Sequence, residues 1–251
     1  MAIFKRESLK LAFKPLTLSI ALLTATASAP SFAEWRIIEA VKDGKAFADL
    51  RLRYENADIE NGNGVDADAL TLRTTFGYET GTYNGFSVLV EAEDVREVLG
   101  VNDFTVGPAG VRVGEFDTIA DPETTELEQA YLQYKAGGFT GKFGRQTLTL
   151  DNHRFVGHVG WRQDRQTFDA FKLNYNQNGL DLTAAYITQR NRIFAEVLDE
   201  DAQDIILNAS YKSDGFGKLT AYSYIIEDDD TDDQELETYG ISYAGSTKAG
   251  S

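Results

Sequence analysis

The stretch "ADLRLRYEN", residues 48–56, alternates apolar and charged side chains with a period of two. Leu50 and Leu52 fall on one face of this stretch. Arg51 and Arg53 fall on the other face. Successive side chains of an extended strand point to opposite faces, whereas a helix repeats about every 3.6 residues. The stretch therefore predicts a β-strand with one apolar face and one charged face.

The same alternation recurs along most of the chain, for example in "LTLRTTFGYE" at 70–79 and "GFSVLVEAED" at 85–94. Most of the segments that show it are about ten residues long, the length of a tilted strand that crosses a membrane. Ten strands are predicted, at residues 46–56, 69–80, 84–95, 125–136, 138–147, 165–175, 179–189, 203–212, 216–226 and 235–244.

The connections between these strands alternate between short and long. Tight turns rich in glycine and asparagine follow every second strand: "TGTYNG" (80–85), "AGG" (136–138), "NQNG" (176–179) and "SDGFG" (213–217). The other connections are longer and more polar, and the longest is expected at about 96–124. Short turns at one end and long loops at the other are typical of outer-membrane barrels.

We therefore predict an all-β fold over residues 34–251, a transmembrane antiparallel up-and-down β-barrel. One alternative stays open at this point. Alternation alone does not separate such a barrel from a soluble one, in which the apolar side chains point inward and the charged ones outward.

The first residues have the pattern of a secretory signal peptide, predicted for residues 1–33. Basic residues precede an apolar run at 16–23, and the small residues Ser31 and Ala33 flank Phe32 at the expected cleavage position. A membrane-anchoring helix is the alternative interpretation. An exported chain without a further apolar helix is periplasmic, secreted or in the outer membrane.

Composition narrows the choice of partners. The formal net charge is −16, which argues against nucleic acid or an anionic membrane surface as a partner. The chain has no cysteine, so its stability depends on hydrogen bonding and packing rather than on disulfides.

Basic residues nevertheless gather between 142 and 172, or lie on the polar faces of earlier strands. In a water-filled pore, inward arginines and lysines select for anions. We predict that the pore is lined by Arg51, Arg53, Arg73, Arg145, Arg154, Arg162, Arg165 and Lys172, with Asp169 among them. The alternative is that these arginines pair with acids and stiffen the lumen; the candidate acids are Asp151, Asp164, Asp169, Glu91 and Glu93.

The segment "LEQAYLQYKAGGFTGKFGRQTLTLDNHRFVGHVGWRQDRQTFDAFKLNY", residues 127–175, resembles the signature of the alginate-export family of outer-membrane porins. The resemblance rests on the order and spacing of "GRQ" (144–146), "WRQ" (161–163) and "TFDA" (167–170). It implies a single-chain, monomeric barrel with a positively lined pore, without a cofactor or enzymatic activity. The solute would be an alginate-like anionic polysaccharide or, in other members, a small organic anion.

Two departures from the family pattern affect the prediction of the barrel's extent. The family's barrels have roughly eighteen strands, whereas ten are predicted here, and Ser251 is not the aromatic residue that usually ends such barrels. We therefore expect residues 34–251 to be an incomplete part of a larger barrel. A complete ten-stranded barrel with a narrow lumen is the alternative.

Other chemistry receives less support. His153 and His158 lack the spacing of a metal site, and the acidic stretches 199–204 and 227–233 lack the ordered ligand spacing of a calcium loop. We expect those stretches to be solvated loops that face lipopolysaccharide. A barrel hydrolase built on the two histidines, or an adhesive surface protein without a channel, remain alternatives to the predicted porin. No catalytic residue and no metal site is predicted.

Overall fold

The computed structural model describes residues 32–60, 65–107, 112–228 and 234–245, which form one antiparallel sheet with its strands in chain order. The strands are β1 (Lys45–Ala57), β2 (Ala67–Glu79), β3 (Phe86–Asp103), β4 (Thr124–Ala136), β5 (Phe139–Gln146), β6 (Thr167–Gln177), β7 (Leu180–Asn191), β8 (Glu200–Ser213), β9 (Gly217–Asp228) and β10 (Gln234–Ala244). A helix, α1 (Phe32–Lys42), precedes them, and a 3-10 turn spans Ala195–Leu198. Neither described helix is long and apolar enough to cross a membrane.

All ten predicted strands are present, which confirms the all-β, up-and-down prediction. The prediction for the third strand was too short, because β3 continues to Asp103 beyond a shift in its pairing with β2 between Ala69 and Thr71. The longest predicted connection, 96–124, is therefore reduced to 104–123. Helix α1 was not predicted. The predicted signal peptide lies outside the described residues, except that its last two positions begin α1.

The ends of the sheet differ as expected. Connections of two or three residues join β4 to β5, β6 to β7 and β8 to β9, whereas segments of 20 residues follow β3 and β5. At the turn between β6 and β7, Asn178 and Gly179 both have positive φ, 54° and 82°. Such a turn matches the twist of the flanking strands. A Cβ at Gly179 would lie 2.2 Å from the carbonyl oxygen of Lys212, so only glycine fits there.

The two faces of the sheet differ in polarity in the opposite way from the faces of a soluble barrel. Large apolar side chains point away from the concave side and are exposed, for example Leu50 (70%), Phe143 (66%) and Ile241 (78%). Polar side chains such as Thr71 and Glu93 are buried on the concave side. An apolar exterior and a polar interior are the arrangement of a membrane barrel. The soluble-barrel alternative is therefore wrong.

The apolar core lies on the concave side, beneath the long connections. One cluster includes Leu148, Val156 and Phe168, where residues 147–166 cover β6 to β9. A second cluster includes Phe104 and Ile119 of the connection after β3. Within the described residues, β1 pairs only with β2 and β10 only with β9, so the sheet is open.

Candidate functional site

The connection between β5 and β6, residues 147–166, folds onto the concave face; we call it the inward segment. Its backbone reaches β1, where Nη1 of Arg51 donates hydrogen bonds to the carbonyl oxygens of Gly160 at 3.2 Å and Arg162 at 2.9 Å. Nη2 of Arg51 donates to the intervening carbonyl of Trp161. One guanidinium thus holds three consecutive carbonyls of the inward segment.

Gln163 attaches the same segment to β2. Its side chain is fully buried, and Nε2 donates to Oγ1 of Thr71 at 2.9 Å and to the carbonyl oxygen of Thr71 at 3.1 Å. The backbone N–H of Gln163 donates to Oδ1 of Asp121 at 2.9 Å. The sequence analysis identified Gln163 only as part of a motif and did not single out Asp121, which lies in a distant connection.

Arg53 and Arg162 share two carboxylates. Nη1 of Arg162 lies 3.1 Å from Oε2 of Glu55 and 3.8 Å from Oδ1 of Asp121. Arg53 pairs with Glu55 as well and lies 3.7 Å from Asp121. These four side chains balance one another's charge, so the two arginines add little net positive charge to the lumen.

Two further arginines are also paired. Arg165 lies 3.2 Å from Oε1 of Glu91 and 2.7 Å from Oε1 of Glu128. Arg145 binds Asp169 through two parallel contacts, Nε to Oδ1 at 2.8 Å and Nη2 to Oδ2 at 3.2 Å. Planar two-contact pairs of this kind fix both side chains. The pairing predicted as the alternative to pore lining is therefore present at these positions, together with acids that the sequence did not suggest.

Arg154 differs from these arginines. It is exposed, forms no salt bridge with any described residue, and its guanidinium lies 5.6 Å from the ring centre of Phe155. It lines a cavity of about 560 Å³ together with His153, His158 and Trp161. Trp161 is 57% exposed, although the guanidinium groups of Arg53 and Arg162 lie over its ring. Among the described residues, this cavity therefore offers a free cation beside a partly open aromatic side chain.

A second group of free cations lies on β5 and β6. Lys142 and Lys172 are directly opposite each other, and with Lys135 they line a recess of about 230 Å³. None of the three forms a salt bridge with a described residue, and Nζ of Lys142 lies 3.9 Å from the ring centre of Tyr131. Lys172 was predicted to line the pore. Lys142 was missed, although it alternates with the exposed Phe143 and so falls on the polar face.

The two histidines lie close together, with ring centres 5.5 Å apart. Burial lowers the pKa of His158, and the nearby Arg165 lowers it further. Neither histidine belongs to a group of three possible metal ligands in the described part of the chain. Such a group is formed instead by three buried carboxylates, those of Glu93, Glu128 and Asp164, which the sequence analysis did not predict.

Acidic residues of the stretch 199–204 are bound by other groups of the chain itself. Arg190 lies 2.6 Å from Glu200 and 2.8 Å from Asp204, and Asp199 accepts the backbone N–H of Arg192 at 2.8 Å. Most of the stretch 227–233 lies outside the described residues.

Comparison with known proteins agrees with this architecture. A family model described as alginate export matches residues 46–248. Among solved structures, Acinetobacter baumannii OccAB3 is similar with a TM-score of 0.59 and 16% identity over 84% of this chain and 60% of that chain. Pseudomonas aeruginosa OccK9 (OpdG) has a TM-score of 0.57 and 14% identity over 83% of this chain and 56% of that chain. OpdK of the same organism, solved with vanillate, has a TM-score of 0.54 and 14% identity over 80% of this chain and 62% of that chain.

The chain thus spans about 56–62% of the length of these three structures, and their low identity shows the shared fold alone. A comparison with curated protein sequences found no match. The family match, by contrast, covers most of the chain, including every described strand almost completely. The chain is a bacterial outer-membrane β-barrel chain that belongs to the alginate export family.

Proposed function

We propose that this chain forms ten strands of the wall, and the constriction, of an outer-membrane channel for anionic solutes, with an alginate-like polysaccharide as the principal solute. The exposed apolar side chains would contact membrane lipid and lipopolysaccharide, and the barrel would act as a monomer. Transport through it is passive and needs no cofactor.

The observation that carries this proposal is the distribution of free positive charge on the concave face. Most of the arginines there are paired with carboxylates, whereas Lys142, Lys172 and Arg154 form no salt bridge with a described residue. A free cation inside a low-dielectric wall attracts anions and repels other cations. Solutes that pass this surface are therefore expected to carry negative charge.

The cavity beside Arg154 favours a polysaccharide. A uronate residue has a carboxylate, which a guanidinium binds, and apolar ring C–H groups, which pack on an aromatic face. Arg154 supplies the first contact and the exposed ring of Trp161 supplies the second. Two guanidinium groups hold that ring in place: Arg162 of the inward segment lies 3.9 Å from the ring centre, and Arg53 of β1 lies 5.1 Å from it.

A small organic anion is the second candidate. The lysine recess is about 230 Å³, which suits a compact carboxylate better than a polymer. OpdK, one of the similar structures, was solved with vanillate, an aromatic carboxylate.

Current through single channels of the full-length gene product in planar bilayers tests both candidates. Short uronate oligomers should block the current from micromolar to millimolar concentration, and neutral oligosaccharides of equal length should not. Block by vanillate without block by uronate would favour the small-anion channel. The absence of any channel current from correctly folded protein would contradict the proposal.

A further inference from the structure

Three carboxylates from three different parts of the chain converge behind the inward segment. They are those of Glu93 on β3, Glu128 on β4 and Asp164 of the inward segment, with 2%, 3% and 2% of the residue surface exposed. One oxygen of each lies within 4.8 Å of an oxygen of the other two. We propose that these three residues bind a divalent cation, with calcium the best fit, which fastens the inward segment to the barrel wall.

The fold brings the three side chains together through specific local features. Glu93 belongs to the polar, concave face of β3. The register between β3 and β4 shifts between Glu91 and Ala92, which leaves Glu128 as the extra residue of a β-bulge. Such bulges redirect side chains, and here Glu128 is buried on the concave side next to Glu93. Asp164 is supplied by the inward segment, which lies over this part of the sheet.

A second observation indicates that a ligand is needed at this position. Both carboxylate oxygens of Glu93 are buried, and neither accepts a hydrogen bond from a described residue. The Nε atom of Arg73 lies 3.8 Å from Oε2, which is too far for a hydrogen bond. A buried carboxylate without hydrogen bonds is strongly unfavourable, because it has lost its contacts with water and gained none in the protein. A bound ion satisfies such a group.

The charge balance agrees with a divalent ion. The guanidinium groups of Arg73 and Arg165 face four carboxylates, those of Glu91, Glu93, Glu128 and Asp164, and Arg73 also pairs with Asp49. At least two negative charges therefore remain without a partner when these carboxylates are ionised.

The donor set favours calcium over magnesium. Calcium takes six to eight oxygen ligands, among them several carboxylates, whereas magnesium usually keeps several waters and binds only one or two carboxylates. A buried cluster of three carboxylates, each with an oxygen within 4.8 Å of the others, therefore suits calcium better. Glu128 can bind an ion and still hold Arg165, since a carboxylate offers about four lone-pair positions. The inference concerns the anchoring of the inward segment and is independent of which solute passes.

Calcium titration calorimetry on the full-length gene product, refolded in detergent and stripped with a chelator, tests the site. The wild-type protein should bind one calcium ion more tightly than its acidic surface does, and binding should raise the unfolding temperature. Asp164→Asn, which keeps the shape of the side chain, should weaken that binding on the order of tenfold or more, since ligand charge sets calcium affinity. Asp181→Asn is the matched control, because Asp181 lies at the other end of the sheet and accepts hydrogen bonds only from the neutral Asn174 and Asn176 among the contacts described.

Equal calcium affinity in the wild type and in Asp164→Asn would overturn the proposal, because the acidic surface alone would then account for binding. If the variant does not fold, the calcium titration of the wild-type protein decides whether the site exists. Absence of a saturable calcium site in the wild type at neutral pH would show that protons, rather than an ion, neutralise the cluster, and would also overturn it.

Discussion

Arg51 and Arg73 lie directly opposite each other on β1 and β2, and both guanidinium groups donate to backbone carbonyls of the inward segment. Arg51 donates to the carbonyl of Arg162 at 2.9 Å, and Arg73 donates to that of Gln163 at 3.4 Å and lies 2.9 Å from the carboxylate of Asp49. Like charges directly opposite in a sheet are destabilising. The carbonyl oxygens of the inward segment accept hydrogen bonds from these arginines and so offset the repulsion. The two charged residues therefore hold the segment in position, and the segment makes their close approach tolerable.

Replacing Arg51 with methionine should release the inward segment. The change removes three hydrogen bonds to carbonyl oxygens, and one hydrogen bond from a charged donor contributes roughly 1.5–3 kcal/mol to the free energy of unfolding. We expect a total loss of about 1.5 kcal/mol in the free energy of unfolding, because Arg51 is only partly buried. Limited proteolysis should cut the variant within residues 147–166 faster than the wild type. Arg96→Met, at an exposed arginine on β3, should leave that rate unchanged; equal cleavage of all three proteins would argue against the anchoring role.

Replacing Gln163 with leucine should lower the stability of the fold, although leucine is similar in size and is an apolar residue placed at a buried position. Gln163 is fully buried, and the change leaves the hydroxyl and carbonyl oxygens of Thr71 without their donor. A loss of about 1–3 kcal/mol is expected from such unpaired groups. Thermal unfolding in detergent measures it. An unfolding temperature equal to that of the wild type would show that the Gln163 contacts do not hold the segment.

Arg154→Glu and Arg162→Glu should have different consequences, although both reverse one charge in the same segment. Arg154 has no acid partner among the described side chains, so its reversal should leave stability unchanged and weaken anion preference. Arg162 is buried between Glu55 and Asp121, and a third carboxylate there should cost about 3–5 kcal/mol. Unfolding temperatures and reversal potentials of the two variants distinguish these effects. Similar unfolding temperatures would contradict the pairing described for Arg162.

Much of the fold could be predicted from the sequence because its signal is local. Alternation with a period of two identified all ten strands, and glycine- and asparagine-rich turns predicted which connections are short. The extension of β3 to Asp103 could not be predicted in this way, since it depends on pairing with β2 across an irregular register. The bulge that buries Glu128 is hidden from the sequence for the same reason.

The site could be predicted only in part. The concentration of basic residues between 142 and 172 drew attention to the inward segment. The partners of its arginines could not be identified, because Glu55, Asp121 and Glu128 come from strands and connections far away in the chain. The sequence shows how many charged residues there are, but it does not show which of them are neutralised by a partner of opposite charge. It therefore suggested eight equivalent pore-lining cations. In the structure, Arg51 binds backbone carbonyls, Lys172 and Arg154 form no salt bridge with a described residue, and the other five are paired with carboxylates. Lys142, which was not predicted, is a further cation without a described salt bridge.

The central claim is that the unpaired cations of the concave face set a preference for anions, and the reversal potential under a salt gradient tests it most directly. Changing Lys142 and Lys172 to glutamine removes two unpaired charges without touching a salt bridge. The reversal potential of the channel should then shift toward cation preference, most strongly at low salt, where screening is weak. The matched control changes Lys212 and Lys218 to glutamine, another directly opposed pair that lies exposed beside a short turn, and should shift it much less. An unchanged reversal potential in the Lys142 and Lys172 variant, with the channel folded and conducting, would contradict the account.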